Sequence, residues 1–343
     1  MIQMMKRLPF VWGMAMSVLL LGCAEESPLA EVDRYPVQVG ERYGYINPQG
    51  AMVIKPRFYS VGWFSNNRAI VELEAGKRAV IDKRGEIVFQ DTSGYLRGYF
   101  NDGLIRFDKK DSSSCFIDTL GVERFCLPDS IVDSDASFSD ERLRVRFPGR
   151  RFAFLDTDGE VVFDLKRGFP GRFSKGLVRV SFSGRTCYMN KKGRRQFCIR
   201  DRGYNFDWRS GLAMVINDKE TYFIDKRGRQ SIADLEYDAV AQFIEGYAKV
   251  ERGGRKGFIN ARGQEVIPPM YEEAVFFTGD LAAVRRPEED WIFINNRNEQ
   301  VIRQTFDEIT MPGFVGELAY VRKDSTWGYI NKRGKFVWTL EEF

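Results

Sequence analysis

One short motif recurs nine times along the chain at an almost constant interval. An aromatic and an aliphatic residue precede an Asn or Asp, and Gly follows three positions later. The anchoring residues are Asn47, Asp82, Asp118, Asp156, Asn190, Asp225, Asn260, Asn295 and Asn331, with successive gaps of 35, 36, 38, 34, 35, 35, 35 and 36. A fixed period of this size predicts supersecondary units that cannot bury their apolar faces alone and therefore stack on one another. The array runs almost end to end through the 343 residues, which leaves no room for a second core.

Each unit reads as strands. Around Asn260, residues 246–250 alternate in the strand manner, 252–255 form a turn, and 256–260 form a second strand. The step Asn260-Ala261-Arg262-Gly263 is a tight turn, in which Asn can bond its own backbone and Gly is free to take positive φ. Residues 265–267 make a third strand, Pro268-Pro269 stops regular pairing, and residues 271–277 cross to the next unit as a short edge strand. The position before the anchor is aliphatic or Met in all nine units; two before it stands an aromatic, except for Val80. Asn298, which also tolerates the left-handed region, replaces the Gly once. A second mark closes each unit with an aromatic, a polar stretch and a small apolar strand, as in Phe100 to Leu104, Phe173 to Leu177 and Trp208 to Leu212.

The expectation is an all-β fold of tandem antiparallel meander or hairpin repeats, each of about 35 residues. Eight complete units and a last partial one, ending at Phe336-Val337-Trp338, suit a propeller-like ring in which residues 35–40 supply a partner across the seam. An open curved array is the alternative, with end strands that need capping.

The segment Trp327-Gly328-Tyr329-Ile330-Asn331-Lys332-Arg333-Gly334-Lys335 resembles the WG (KWG) repeat of bacterial proteins. So do Lys256 to Asn260 and their continuation through Val266 to Ala274. The resemblance covers roughly residues 41–343 and implies a β-hairpin repeat array that serves as a protein-interaction scaffold, with no activity common to the family.

The first 22 residues read as an address. Lys6 and Arg7 precede an apolar stretch, Leu8 to Leu21, too short to span a bilayer as a helix. It ends in Leu20-Leu21-Gly22-Cys23, which resembles a bacterial lipobox. That resemblance implies cleavage before Cys23, lipidation of Cys23 and, with Ala24 where Asp would signal retention, anchoring in the outer membrane facing the periplasm. The chain thus divides into a lipoprotein signal peptide at 1–22, a lipidated N-terminus and linker at 23–34, and a repeat domain at 35–343.

The remaining cysteines point to the same compartment. Cys115 and Cys126, and likewise Cys187 and Cys198, are separated by 11 and occupy matching repeat positions. Across a hairpin that turns at the anchor they lie nearly opposite, so disulfides Cys115–Cys126 and Cys187–Cys198 are expected in an oxidising periplasm. The competing reading is four small buried thiols, because Gly44, Ala79, Ala153 and Gly257 fill the earlier slot elsewhere.

Little catalytic chemistry is left. The chain has no His, which removes imidazole acid–base catalysis, His-paired nucleophiles and His-ligated zinc. No C-x-x-C spacing or phosphate-binding G-x-x-x-x-G-K-[ST] loop occurs. Beyond the first 22 residues, 50 basic residues face 48 acidic ones, too even a balance to drive nucleic-acid binding. No catalytic residue, metal or cofactor is therefore expected. Paired carboxylates are the remaining option, yet Asp82, Asp118, Asp156 and Asp225 exchange with Asn in sister units, as residues that accept backbone hydrogen bonds do. Asp156-Thr157-Asp158-Gly159 opens like a calcium loop but lacks the distal Glu.

Charge gathers at the turn tips: Lys83, Arg84, Lys191, Lys192, Lys226, Arg227, Arg262, Arg297, Lys332 and Arg333. Stacking would align them as a basic rim facing anionic headgroups, lipopolysaccharide phosphates or an acidic partner, unless they only keep the edge soluble. The functional expectation is a lipid-anchored cell-envelope binding scaffold without catalysis. Its partners would be the membrane, through its lipid, and an envelope protein or anionic envelope component. The alternatives are an envelope carbohydrate-active enzyme using Asp/Glu pairs and a purely structural envelope lipoprotein.

Overall fold

The computed structural model describes residues 32–340, apart from 75, 91, 92 and 208. Nine antiparallel sheets follow one another in chain order as the blades of a β-propeller. Blade seven shows the plan, with strands Ala239–Ile244, Tyr247–Arg252, Arg255–Asn260 and Glu265–Tyr271 paired in simple sequence order. Blade one (35–58) and blade eight (273–294) have three regular strands among the described residues, and the other seven have four. Pairing along a would-be fourth strand of blade eight is reduced to the isolated bridges Ile294–Gln300 and Trp291–Phe306. A 3-10 turn at Pro148–Arg150 is the sole helical element described.

The first strand of a full blade lies nearest the axis. Arg209, in the first turn of blade six, reaches Glu245 of blade seven and Asp280 of blade eight, each at 3.5 Å. One side chain can touch two further blades only where the blades converge.

The blade begins earlier in the repeat than expected. The aromatic-polar-Gly mark opens a blade instead of closing the previous one, and Glu273–Ala274, the expected short edge strand, is the inner edge of blade eight. This phase puts one Phe near the end of the first strand in eight blades: Phe64, Phe100, Phe138, Phe173, Phe206, Phe243, Phe277 and Phe314, all buried. In blade six that residue is Phe206; Trp208, which the sequence pattern aligned there, lies outside the described residues. Seven of these rings meet the aromatic two before the anchor of the preceding blade edge-on, at centroid distances of 4.6–5.3 Å. Phe100 meets Val80 instead. Each aromatic pair contributes about 0.5–1.5 kcal/mol beyond its buried area, so the blade interfaces carry much of the core.

The anchor-turn glycines are the second interlock. Their φ values run from 73° to 87°, with Asn298 at 64°. A β-carbon on any of the eight would come closer than 3.0 Å to the outermost part of the preceding blade. Gly121 sits on Phe89, Gly159 on Phe125, Gly193 on Phe163 and Gly228 on Phe197. Glycine is therefore required twice over, for the left-handed turn and for the close approach.

The same contacts close the ring. Gly50 of blade one rests on the Val337 carbonyl of blade nine. Tyr35 takes the place of the interlocking Phe, its ring 5.6 Å from Tyr329 of blade nine at 63°. Tyr329 Oη donates to Pro36 O at 3.0 Å, and Glu317 N donates to Tyr35 Oη at 2.8 Å. Burial pushes the Tyr35 hydroxyl up to about 12, so it stays protonated and donates to Val32 O at 3.0 Å. The open array is thereby excluded. The expected strand exchange is also absent: residues 35–39 pair with 42–46 of their own blade, and blade nine already has four strands, the last being Phe336–Thr339. Side-chain packing between whole modules makes the seam.

Candidate interaction face

Antiparallel order places the turn after the first strand and the anchor turn after the third strand on the same face of the ring. The anchor turns are built identically. In all nine, the anchor Oδ1 accepts the N–H groups two and four residues on, at 2.8–3.1 Å. Asp and Asn do the same work, as their exchange between units suggested. At Asp225 partial burial favours the neutral acid, but bonds from the Arg229 backbone, its guanidinium and the Arg227 backbone outweigh it and hold the carboxyl below its ordinary range. Asp156 and Asp158 belong to such a turn, not to a calcium loop.

These bonds set an expected result. Asn260→Ala strands two N–H groups and should cost about 1–2 kcal/mol in denaturant unfolding. Asp225→Asn keeps both bonds and should change stability by less than about 0.5 kcal/mol. Equal losses from the two variants would mean that anchor charge matters.

The turn geometry divides the ten basic rim residues into two kinds. Three of the four cations that directly follow an anchor lean towards the inner turns and find acids there. Lys83 Nζ lies 3.1 Å from Asp33, Lys191 Nζ 2.8 Å from Asp140 and 3.2 Å from Glu141, and Lys332 Nζ 2.8 Å from Glu317. These three are therefore not part of a free basic rim, which corrects the sequence expectation. The second residue points out: Arg84, Lys192, Arg227, Arg262, Arg297 and Arg333 are exposed, as is Lys226. Among the described residues these seven have no charged partner.

The acids on this face are occupied as well. Asp102 Oδ2 accepts Glu141 N at 2.9 Å, and Asp140 Oδ2 accepts Gly176 N at 2.5 Å, each from the following blade. Asn66 accepts Gly103 N at 3.2 Å in the same way. Burial, with the nearby Asp140 and Glu141 charges, raises the Asp102 carboxyl although the Glu141 N–H pulls it down. A cleft of about 530 Å³ between blades three and four is lined by Asp102, Asp118, Glu141 and Asp158 together with Arg124 and Arg142. Arg124 lies 3.8 Å from Asp118 and 3.9 Å from Asp158, so every carboxylate there already has a partner.

Both expected disulfides are present, with S–S distances of 1.99 and 2.03 Å. Each joins residues directly opposite on the third and fourth strands of blades three and five. Cys115 and Cys187 are buried, while Cys126 and Cys198 are exposed on the outer strand. Gly44, Gly257 and Gly328 hold the equivalent inner position, where a β-carbon would collide with the outermost-strand carbonyl of Ile54, Ile267 or Trp338. Ala79 and Ala153 hold the same slot in blades two and four, so the approach is tightest where Gly stands. Among the described residues no helix is long and apolar enough to cross a membrane. Cys23 and the signal segment lie outside them.

Comparison with known proteins agrees with this architecture. The WG containing repeat matches residues 43–77, 223–255 and 257–286. Each match begins in the strand before the anchor turn of one blade and runs into the next, so the sequence repeat bridges two blades. A crystal structure of the eukaryotic initiation factor is similar at a TM-score of 0.63 and 11% identity, over 91% of this chain and 96% of that one. BamB from Moraxella catarrhalis aligns at a TM-score of 0.43 and 14% identity, over 80% and 91%. The computationally designed Ika8 protein gives 0.42 and 13%, over 82% and 94%. No curated protein matches the chain. The three matched segments show that the chain carries WG repeats, and all nine anchor turns share their construction.

Proposed function

We propose that the protein is a lipid-anchored scaffold of the bacterial cell envelope that binds a partner without catalysing a reaction. The observation that carries this reading is the closed ring of nine interlocked blades, a large rigid surface whose turn tips on one face stand free in solvent. A preformed surface of this kind binds without a large ordering cost. Cys23 at the end of the apolar leader would carry the acyl chains; Ala24 favours the outer membrane, and the two disulfides suit an oxidising compartment such as the periplasm. The partner is an envelope protein or an anionic envelope component.

Cys23→Ser should move the protein from the membrane to the soluble fraction and abolish fatty-acid labelling. Photo-crosslinkers placed around the ring in intact cells should give one saturable adduct from one face. No adduct from any face would leave only structural filler, and retention of Cys23→Ser in the membrane would remove the lipid anchor.

A further inference from the structure

We propose that the turn-tip face of blades five to nine lies against an anionic bilayer surface. This rests on the acyl anchor at Cys23 and adds which side of the ring the anchor turns towards the membrane. Lys192, Arg227, Arg262, Arg297 and Arg333 hold one equivalent position in five consecutive blades, so the repeat sets them at one height along an arc. All are exposed. Lys226 thickens the arc where blades five and six meet, beside the Gly228–Phe197 contact. Long cations at one height suit a flat array of phosphate headgroups, each worth a modest attraction that accumulates over the arc.

Basic tips are not a general feature of this turn. The equivalent residues in blades one, three and four are Gln49, Leu120 and Asp158, so the basic tips run unbroken only from blade five to blade nine, with Arg84 of blade two standing apart. Solubility alone would not require that asymmetry.

The chain also enters on this face. Asp33 pairs with the tip residue Lys83 at 3.1 Å, and Arg34 Nε donates to Lys83 O at 3.3 Å. Val32 lies nine positions after Cys23, a reach of at most about 30 Å. The opposite face stands further off by the length of a strand, about 20 Å. Tether and charge therefore favour the same orientation.

Lysine acylation footprinting tests this with the full chain reconstituted into vesicles of neutral lipid or of neutral lipid with about one third anionic lipid. At low salt, Lys192 and Lys226 should react at least about threefold more slowly on anionic than on neutral vesicles, and about 0.5 M salt should erase the difference. Lys110 and Lys219, in turns of the opposite face, should react equally on both. The variant Arg227→Glu, Arg262→Glu, Arg297→Glu should lose the protection. Equal reactivity of Lys192 and Lys226 on both vesicles, or equal protection of Lys110 and Lys219, overturns the inference. Intact mass of the same preparation reports acylation of Cys23, so a missing anchor and a wrong face are told apart.

Discussion

Gly50→Ala should destabilise the protein by about 3 kcal/mol or more, as should Gly228→Ala, while Gly103→Ala should cost only about 1–2 kcal/mol. All three glycines have positive φ, at 83°, 77° and 79°, so the backbone penalty for a β-carbon is shared. They differ in what the β-carbon meets. At Gly103 nothing lies within 4 Å, at Gly228 it strikes the Phe197 ring of the previous blade, and at Gly50 it strikes the Val337 backbone across the seam. A backbone carbonyl cannot rotate away as a side chain can, so the seam variant must push blades one and nine apart. That would loosen the cluster of Tyr35, Val37, Ile46, Val315, Leu318 and Tyr329. Urea unfolding of the three variants measures the comparison. Gly50→Ala behaving like Gly103→Ala would mean that the terminal blades do not pack.

The second large effect belongs to the disulfides. Each closes a short loop, the cysteines being 11 apart, and removing one by a double Cys→Ala change should cost about 3 kcal/mol on the loop-entropy argument. The loss should be local first. Cys126 and Cys198 lie on the outermost strands, so amide exchange in 123–126 and 195–199 should rise before that of the inner strands. Denaturant unfolding with and without reductant gives the total. A loss below about 1 kcal/mol for both pairs together would show that the outer strands hold without their staples.

Much of this was legible in the residues, for physical reasons that can be named. The anchor turn is a local structure, made by an Asx side chain and a left-handed Gly within five residues, so Asn47 and its eight counterparts announce it without tertiary help. The cysteine pairs were readable because a hairpin converts sequence separation directly into register. The blade phase was not readable. A continuous antiparallel meander looks the same wherever it is cut, and only the packing of Phe243 on Phe223 shows where one sheet ends. The ring is legible in the count of units, but its manner of closure is not, because the seam uses Tyr35 in place of the Phe of the other blades. The split of the basic rim was hidden for a third reason. Lys191 and Glu141 are 50 residues apart and meet only because consecutive blades sit side by side, with the first tip residue facing inward and the second outward.

The central claim, that nine equivalent modules close on themselves, is tested most directly by a distance across the seam. Spin labels at Gln49 and Arg333 occupy the same turn position in blades one and nine, as do labels at Arg262 and Arg297 in blades seven and eight. The account predicts that double electron–electron resonance gives the two pairs the same distance, because blades one and nine are neighbours like any others. A Gln49–Arg333 distance several times longer than the Arg262–Arg297 distance would mean an open array and would contradict it.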